Sequence, residues 1–120
     1  MDIQNAIIAF SALAQETRLQ AFRMLVEAGS SGLPAGAISE QLSMAHNSLS
    51  FHLAQLTEAG LIESRKDGRQ IIYTASFERI RELIRYMVEN CCRDDEVSCR
   101  IDAKGSKEII EFFTKDRECC

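Results

Sequence analysis

The sequence predicts a mainly α-helical domain with one β-hairpin, and three observations predict it. Apolar residues recur every three to four positions along successive stretches, which is the period of helices with one buried face. Gly29, Gly32 and Gly60 interrupt those stretches and mark their ends. A single Asp67-Gly68 pair stands between two β-rich runs, a strong short-range hairpin signal.

The first helix is expected from Ile3, with Ile7, Ile8, Phe10 and Leu13 as its apolar positions. Residues 14 to 19 open a second helix, in which Leu19, Phe22, Leu25 and Val26 repeat at helical spacing. Gly29-Ser30-Ser31-Gly32 ends it. Pro34, the one proline, should begin a third short helix because its fixed φ and missing N–H suit a first helical turn. Ile38 and Leu42 would be that helix's buried side, and residues 43 to 46 a tight turn.

The next helix, over residues 45 to about 59, carries the most information. At about 100° per residue Ala45, Leu49, Leu53 and Leu56 fall on one narrow face, which goes inward. Asn47, Ser50, Phe51, Ala54 and Glu58 lie opposite, flanked by Ser48 and Gln55. That outward surface is small and polar with one aromatic, and a purely solvated face would not need Phe51. Gly60 stops the helix.

Two β-rich runs follow, from Leu61 and up to Thr74, and Arg65, Lys66 and Arg69 crowd the turn between them as the densest positive cluster in the chain. Helix, turn, helix and basic-tipped hairpin together form a winged helix-turn-helix. A late helix from residue 76 to about 90 should bury Phe77, Ile80, Leu83, Ile84, Met87 and Val88, a wide apolar band for a small domain. Ile109, Ile110, Phe112 and Phe113 suggest a last short helix near residues 106–115. No internal repeat or low-complexity segment is found.

Composition bounds the function. The 120 residues suit one domain, with 46% hydrophobic and 27% charged residues and a mean hydropathy of -0.12, which excludes a wholly disordered chain. The start carries an acid rather than a basic segment, and the apolar run at residues 6–10 is too short for a signal or membrane span, so a cytoplasmic protein with no membrane partner is expected. Net charge is -4 and the sequence pI near 5.2, so any binding to a polyanion must come from a local patch.

The residues Asn47-Ser48-Leu49-Ser50-Phe51-His52-Leu53, then Leu56, Ala59-Gly60-Leu61-Ile62 and the run from Arg65 to Tyr73 resemble the ArsR/SmtB family of metal-responsive repressors. Leu13-Ala14 with Thr17-Arg18-Leu19 matches as well, so the likeness covers about residues 6 to 92. The resemblance implies a dimeric winged helix-turn-helix that is not an enzyme, binds operator DNA as a homodimer, and releases it when a metal or metalloid ion binds. It also implies that the first and late helices supply the dimer interface. Residues 1–92 would form the DNA-binding and dimerisation domain, with residues 93–120 as a tail completing a thiol site.

For the DNA surface, the N-terminal outward residues of a recognition helix meet base edges in the major groove. Here these are His46, Asn47, Ser50 and Phe51, with Ser48 and Gln55 beside them. Asn and Gln can pair with adenine, Ser bonds to bases or phosphate, and Phe51 can touch a thymine methyl. Arg65, Lys66 and Arg69 would sit over phosphates or the minor groove. His52 is expected to pack and hydrogen-bond at the helix edge rather than read a base.

The sensing site of the family varies in place. Here the start of the third helix, Leu33-Pro34-Ala35-Gly36-Ala37-Ile38, holds no thiol, and the histidines are His46 and His52, which leaves no Asp/His site along the late helix. The five cysteines instead gather late, at Cys91, Cys92, Cys99, Cys119 and Cys120. Adjacent Cα atoms are about 3.8 Å apart, below the roughly 4.4 Å lower limit of a disulfide, so neither neighbouring pair should bridge internally.

Cys91-Cys92 and Cys99 resemble an arsenic-responsive subgroup with a vicinal pair at the end of the late helix and a third thiol shortly after. The six residues between Cys92 and Cys99 can fold Cys99 back to the pair. Three thiolates with no nearby histidine suit trigonal-pyramidal As(III) or Sb(III), whereas a closed zinc site wants four ligands. Cd, Pb or Zn would fit if Asp94, Asp95 or Glu96 supplied an oxygen. Two further alternatives are thiol oxidation, for instance Cys91 or Cys92 with Cys99, and, more distantly, a thiol oxidoreductase or metalloid carrier, against which stands the absence of a C-x-x-C motif. The role of Cys119 and Cys120 is open. No organic cofactor is expected.

Overall fold

The computed structural model describes residues 1–89. Five helices and a small antiparallel sheet follow one another as α1 Ile3–Leu13, α2 Glu16–Ala28, a 3-10 turn Gly29–Ser31, β1 Leu33–Pro34, α3 Ala35–Leu42, α4 His46–Glu58, β2 Ile62–Asp67, β3 Gln70–Ala75 and α5 Phe77–Val88. The fold is the expected winged helix-turn-helix. The cysteines and the expected short helix near residues 106–115 lie outside the described residues.

Side chains start three of the helices. Asp2 Oδ1 accepts from the Asn5 amide at 2.8 Å, Gln15 Oε1 from Arg18 at 2.9 Å, and Ser76 Oγ from Arg79 at 3.3 Å. The bend between α3 and α4 turns on Ser43, which adopts φ 50, while Ser39 Oγ donates to the Met44 carbonyl at 2.6 Å. This is the tight turn expected at residues 43 to 46, and it sets α4 across α3.

The core gathers Phe22 and Leu25 of α2, Ile38 of α3, Leu49, Leu53 and Leu56 of α4, Leu61 and Ile62 at the hairpin's base, and Leu83 of α5. The inward face of α4 is the expected leucine stripe, except that Ala45 is exposed because it caps the helix from outside.

Three expectations about buried faces are corrected. In α1 the inward residues are Ala6, Ala9 and Ala12, whereas Ile3, Ile7, Ile8 and Phe10 are exposed; the small side chains let the α1 backbone come close to α2 and α4. In α2, Leu19 and Val26 are exposed while Phe22 and Leu25 are buried. In α5 only Leu83 is fully buried: Phe77, Ile80, Ile84 and Val88 are partly covered and Met87 is 54% exposed, because α5 leans on α1 and its far side has no cover within the described chain.

The hairpin forms where expected, with its turn one residue further on. Asp67 pairs with Gln70, so the two-residue loop is Gly68-Arg69. Gly68 has φ +65 and Arg69 has not, which is the type II′ pattern with glycine at its first central position. Leu33 and Pro34, expected only as the entry to a helix, also pair with Tyr73 and Ile72, giving the sheet order β1-β3-β2. Among the described residues no helix is long and apolar enough to cross a membrane.

Candidate nucleic-acid interface

The outward face of α4 is built by the spacing of its leucines. With Leu49, Leu53 and Leu56 fixed in the core, His46, Asn47, Ser48, Ser50 and Phe51 are forced outward, and all five are exposed. Phe51 is 60% exposed, so most of its apolar surface is left uncovered among the described residues. Its ring meets His52 edge-on, centroids 5.8 Å apart at 69°. His52 is half-buried, as a packing residue at the helix edge should be, but the hydrogen bond also expected of it is not made at Nδ1, which is buried without a partner among the described residues.

Ser50 Oγ donates to the His46 carbonyl at 3.0 Å, one turn back. This back-bond holds the hydroxyl against the helix and leaves its oxygen lone pairs outward.

The N-terminal end of α4 opens onto a groove of about 660 Å³ shared with the start of α3 and the wing. His46 and Ser50 form one side, Gly36, Ala37 and Glu40 another, and Arg69, Ile71 and Tyr73 the third. Three of the expected DNA-contacting residues, His46, Ser50 and Arg69, therefore surround one space. Gln55 does not: it is half-buried in a separate groove beside Ile7, Ile8 and Arg18, on the side of α4 turned to α1 and α2.

Lys66 and Arg69 are exposed, and neither side chain has a hydrogen bond or ion pair among the described residues. Arg65 is exposed too, yet its guanidinium donates to the carbonyls of Ser30 and Ser31 at 3.2 and 2.9 Å. Sequence reasoning did not find that contact, because it joins residues 34 and 35 positions apart and no local pattern encodes it. Among the described residues no group of three His, Cys, Asp or Glu side chains could hold a metal ion. Cys91, Cys92 and Cys99 lie outside them.

Comparison with known proteins agrees with this geometry. A family model described as a helix-turn-helix domain matches residues 13–65, which take in α2, α3, α4 and the start of the hairpin. The transcriptional activator HlyU of Vibrio cholerae is 31% identical over 92 residues, spanning 77% of this chain and 82% of that protein. A putative arsenical resistance operon repressor, ArsR, of Halobacterium salinarum is 46% identical over 59 residues, 49% of this chain and 45% of that one. The chain belongs to the ArsR family of winged helix-turn-helix transcriptional regulators.

Solved structures of the ArsR type have the same fold. HlyU from Vibrio cholerae superposes with a TM-score of 0.58 at 33% identity, covering 72% of this chain and 97% of that one. The homodimeric winged helix-turn-helix DNA-binding domain of a possible ArsR-family regulator from Mycobacterium bovis, at 23% identity, matches in fold with a TM-score of 0.61 over 76% of this chain and 82% of that one. The named relatives are all regulators of transcription, which sets this chain among regulators and apart from enzymes.

Proposed function

We propose that the protein is a homodimeric repressor that binds operator DNA through α4 and the wing and lets go of it when As(III) or Sb(III) binds Cys91, Cys92 and Cys99. The observation that carries the DNA-binding half is the outward face of α4: exposed His46, Asn47, Ser48, Ser50 and Phe51 stand at the N-terminal end of a helix whose other face is locked in the core, beside a basic hairpin tip. Arginine and lysine there supply salt-dependent attraction despite the net charge of -4. Dimer formation is supported by the large apolar side chains left exposed on α1, namely Ile3, Ile7 and Phe10, and by Met87 on α5.

The metalloid half is supported by the residue types and their spacing. Two adjacent cysteines begin three positions after the last residue of α5, and a third follows seven positions after Cys92. Thiolates are the soft donors that such ions select. Ion and operator then oppose one another by linkage: an ion held a hundredfold more tightly by the DNA-free protein lowers operator affinity by the same factor, about 2.7 kcal/mol.

Fluorescence anisotropy of the reduced protein on duplex DNA from upstream of its own coding sequence tests both halves. The expected result is saturable binding, release by arsenite or antimonite but not by zinc, and no release from the Cys92→Ser variant. Release by cadmium or lead instead would reassign the ion. Binding that no ion reverses would overturn the sensing half, and release by oxidant that is undone by a reductant would replace it with a thiol switch.

A further inference from the structure

Strand alternation divides the wing's three basic residues between two faces of the sheet. Arg65 stands opposite Ile72 and Lys66 opposite Ile71. Opposite residues share a face and successive ones alternate. Ile71 lines the groove that His46 and Ser50 border, so Lys66 belongs to that face, and Arg69 lines the same groove from the turn. Ile72 is buried on the other side, at 7% exposure, and Arg65 shares that side.

From there Arg65 reaches across the sheet. The strand order puts β3 between β2 and β1, and Ser30 and Ser31 belong to the turn that leads into β1. Two guanidinium nitrogens each donate to a successive carbonyl, at 3.2 and 2.9 Å. The planar fork holds two separate nitrogens in fixed, parallel aim at the two carbonyls, whereas an ammonium must share one nitrogen between them and lacks that preset geometry. The same turn is held down at Gly32, whose φ of +68 and contact with the Tyr73 carbonyl leave no room for a Cβ.

The contact falls at a mechanical limit of the wing. β1 pairs with Tyr73 and Ile72 and no further, so toward the tip the hairpin continues as a bare two-stranded ribbon. Such ribbons are marginal by themselves. Arg65 sits in the last row that still has a third strand beside it, since Ile72 pairs with both Arg65 and Pro34.

We propose that Arg65 is a positioning residue, clamping the hairpin to the turn before β1 so that Lys66 and Arg69 are held toward phosphates, and that it does not itself bind phosphate. The proposal rests on the reading of α4 and the wing as a DNA-binding surface. A phosphate contact is counted by the salt dependence of binding, whereas a clamp changes affinity without changing that count.

The test measures affinity against salt concentration for the full chain and four variants, Arg65→Gln, Arg65→Lys, Lys66→Gln and Arg69→Gln, on the upstream duplex and on a shuffled duplex. Amide hydrogen exchange of the wing is followed in the same proteins without DNA. Lys66→Gln and Arg69→Gln should each lower the slope of log affinity against log salt by about 0.9 with wing exchange unchanged. Arg65→Gln and Arg65→Lys should keep the slope, weaken binding by about five- to a hundredfold, as expected for two lost hydrogen bonds, and quicken exchange across residues 65–72.

A drop in slope for Arg65→Gln, or full recovery of wild-type behaviour in Arg65→Lys, overturns the proposal. Unchanged exchange in Arg65→Gln overturns it as well. Should the wild-type protein bind neither duplex, the DNA-binding reading fails and takes the presentation of Lys66 and Arg69 with it, while exchange still shows whether the clamp exists.

Discussion

Helices α1 and α4 pack on the same core with their side-chain sizes inverted. α4 turns leucines inward and shows solvent small polar residues with one phenylalanine; α1 turns Ala6, Ala9 and Ala12 inward and shows Ile3, Ile7, Ile8 and Phe10. The difference teaches that the buried face of a helix is set by how closely its backbone approaches its neighbours as well as by hydrophobicity. α4 is held at a leucine's length and so has a free polar face. α1 is held at an alanine's length, and its large apolar residues are left without cover among the described residues.

The largest effect should come from emptying the deep side of α4. Leu53→Ala removes a side chain that is 2% exposed and should cost about 2–5 kcal/mol, read as a lower midpoint in urea unfolding with the slope of the transition unchanged. A loss below about 1 kcal/mol would mean the core can collapse around the site, and the contrast between the helices would weaken.

The converse change tests the close approach of α1. Ala9 is fully buried, so Ala9→Leu forces extra carbons into filled space and should destabilise by about 1–3 kcal/mol in the same assay. Stabilisation instead would show a void beneath α1 and refute the close-packing account.

The smallest effect on stability, and a diagnostic one, is expected on the outer face of α4. Asn47 is exposed and its side chain has no hydrogen bond among the described residues, so Asn47→Ala should leave stability within about 0.5 kcal/mol. Discrimination between the upstream duplex and a shuffled one should nevertheless fall by about 1–3 kcal/mol in anisotropy titrations, the worth of one base contact. Equal loss on both duplexes would make Asn47 a phosphate contact.

How much of this was legible in the sequence depends on the range of each signal. The leucine stripe of α4, the outward placement of Phe51 and the hairpin signalled by Asp67-Gly68 are local patterns, and the structure has them, with the hairpin's turn one residue further on. The inward face of α1 was not legible, because alanine carries little hydrophobic weight and the isoleucines dominated the pattern. β1 was hidden for another reason: two residues, one of them a proline, have no period to read. Of the candidate site, the exposed outward face of α4 and the exposure of Lys66 and Arg69 followed from spacing and charge. The Arg65 contacts and the turn of Gln55 toward α1 depend on where distant elements dock.

The two-residue strand β1 also bears on the order of folding. The β2–β3 hairpin closes through a two-residue loop and can form from its own stretch of chain within microseconds, but Leu33 and Tyr73 are forty positions apart and meet only after a long loop has closed. The hairpin would thus form and open many times before it gains a fixed attitude to α4, and that late docking is the step at which a marginal ribbon becomes a lasting part of the surface beside α4.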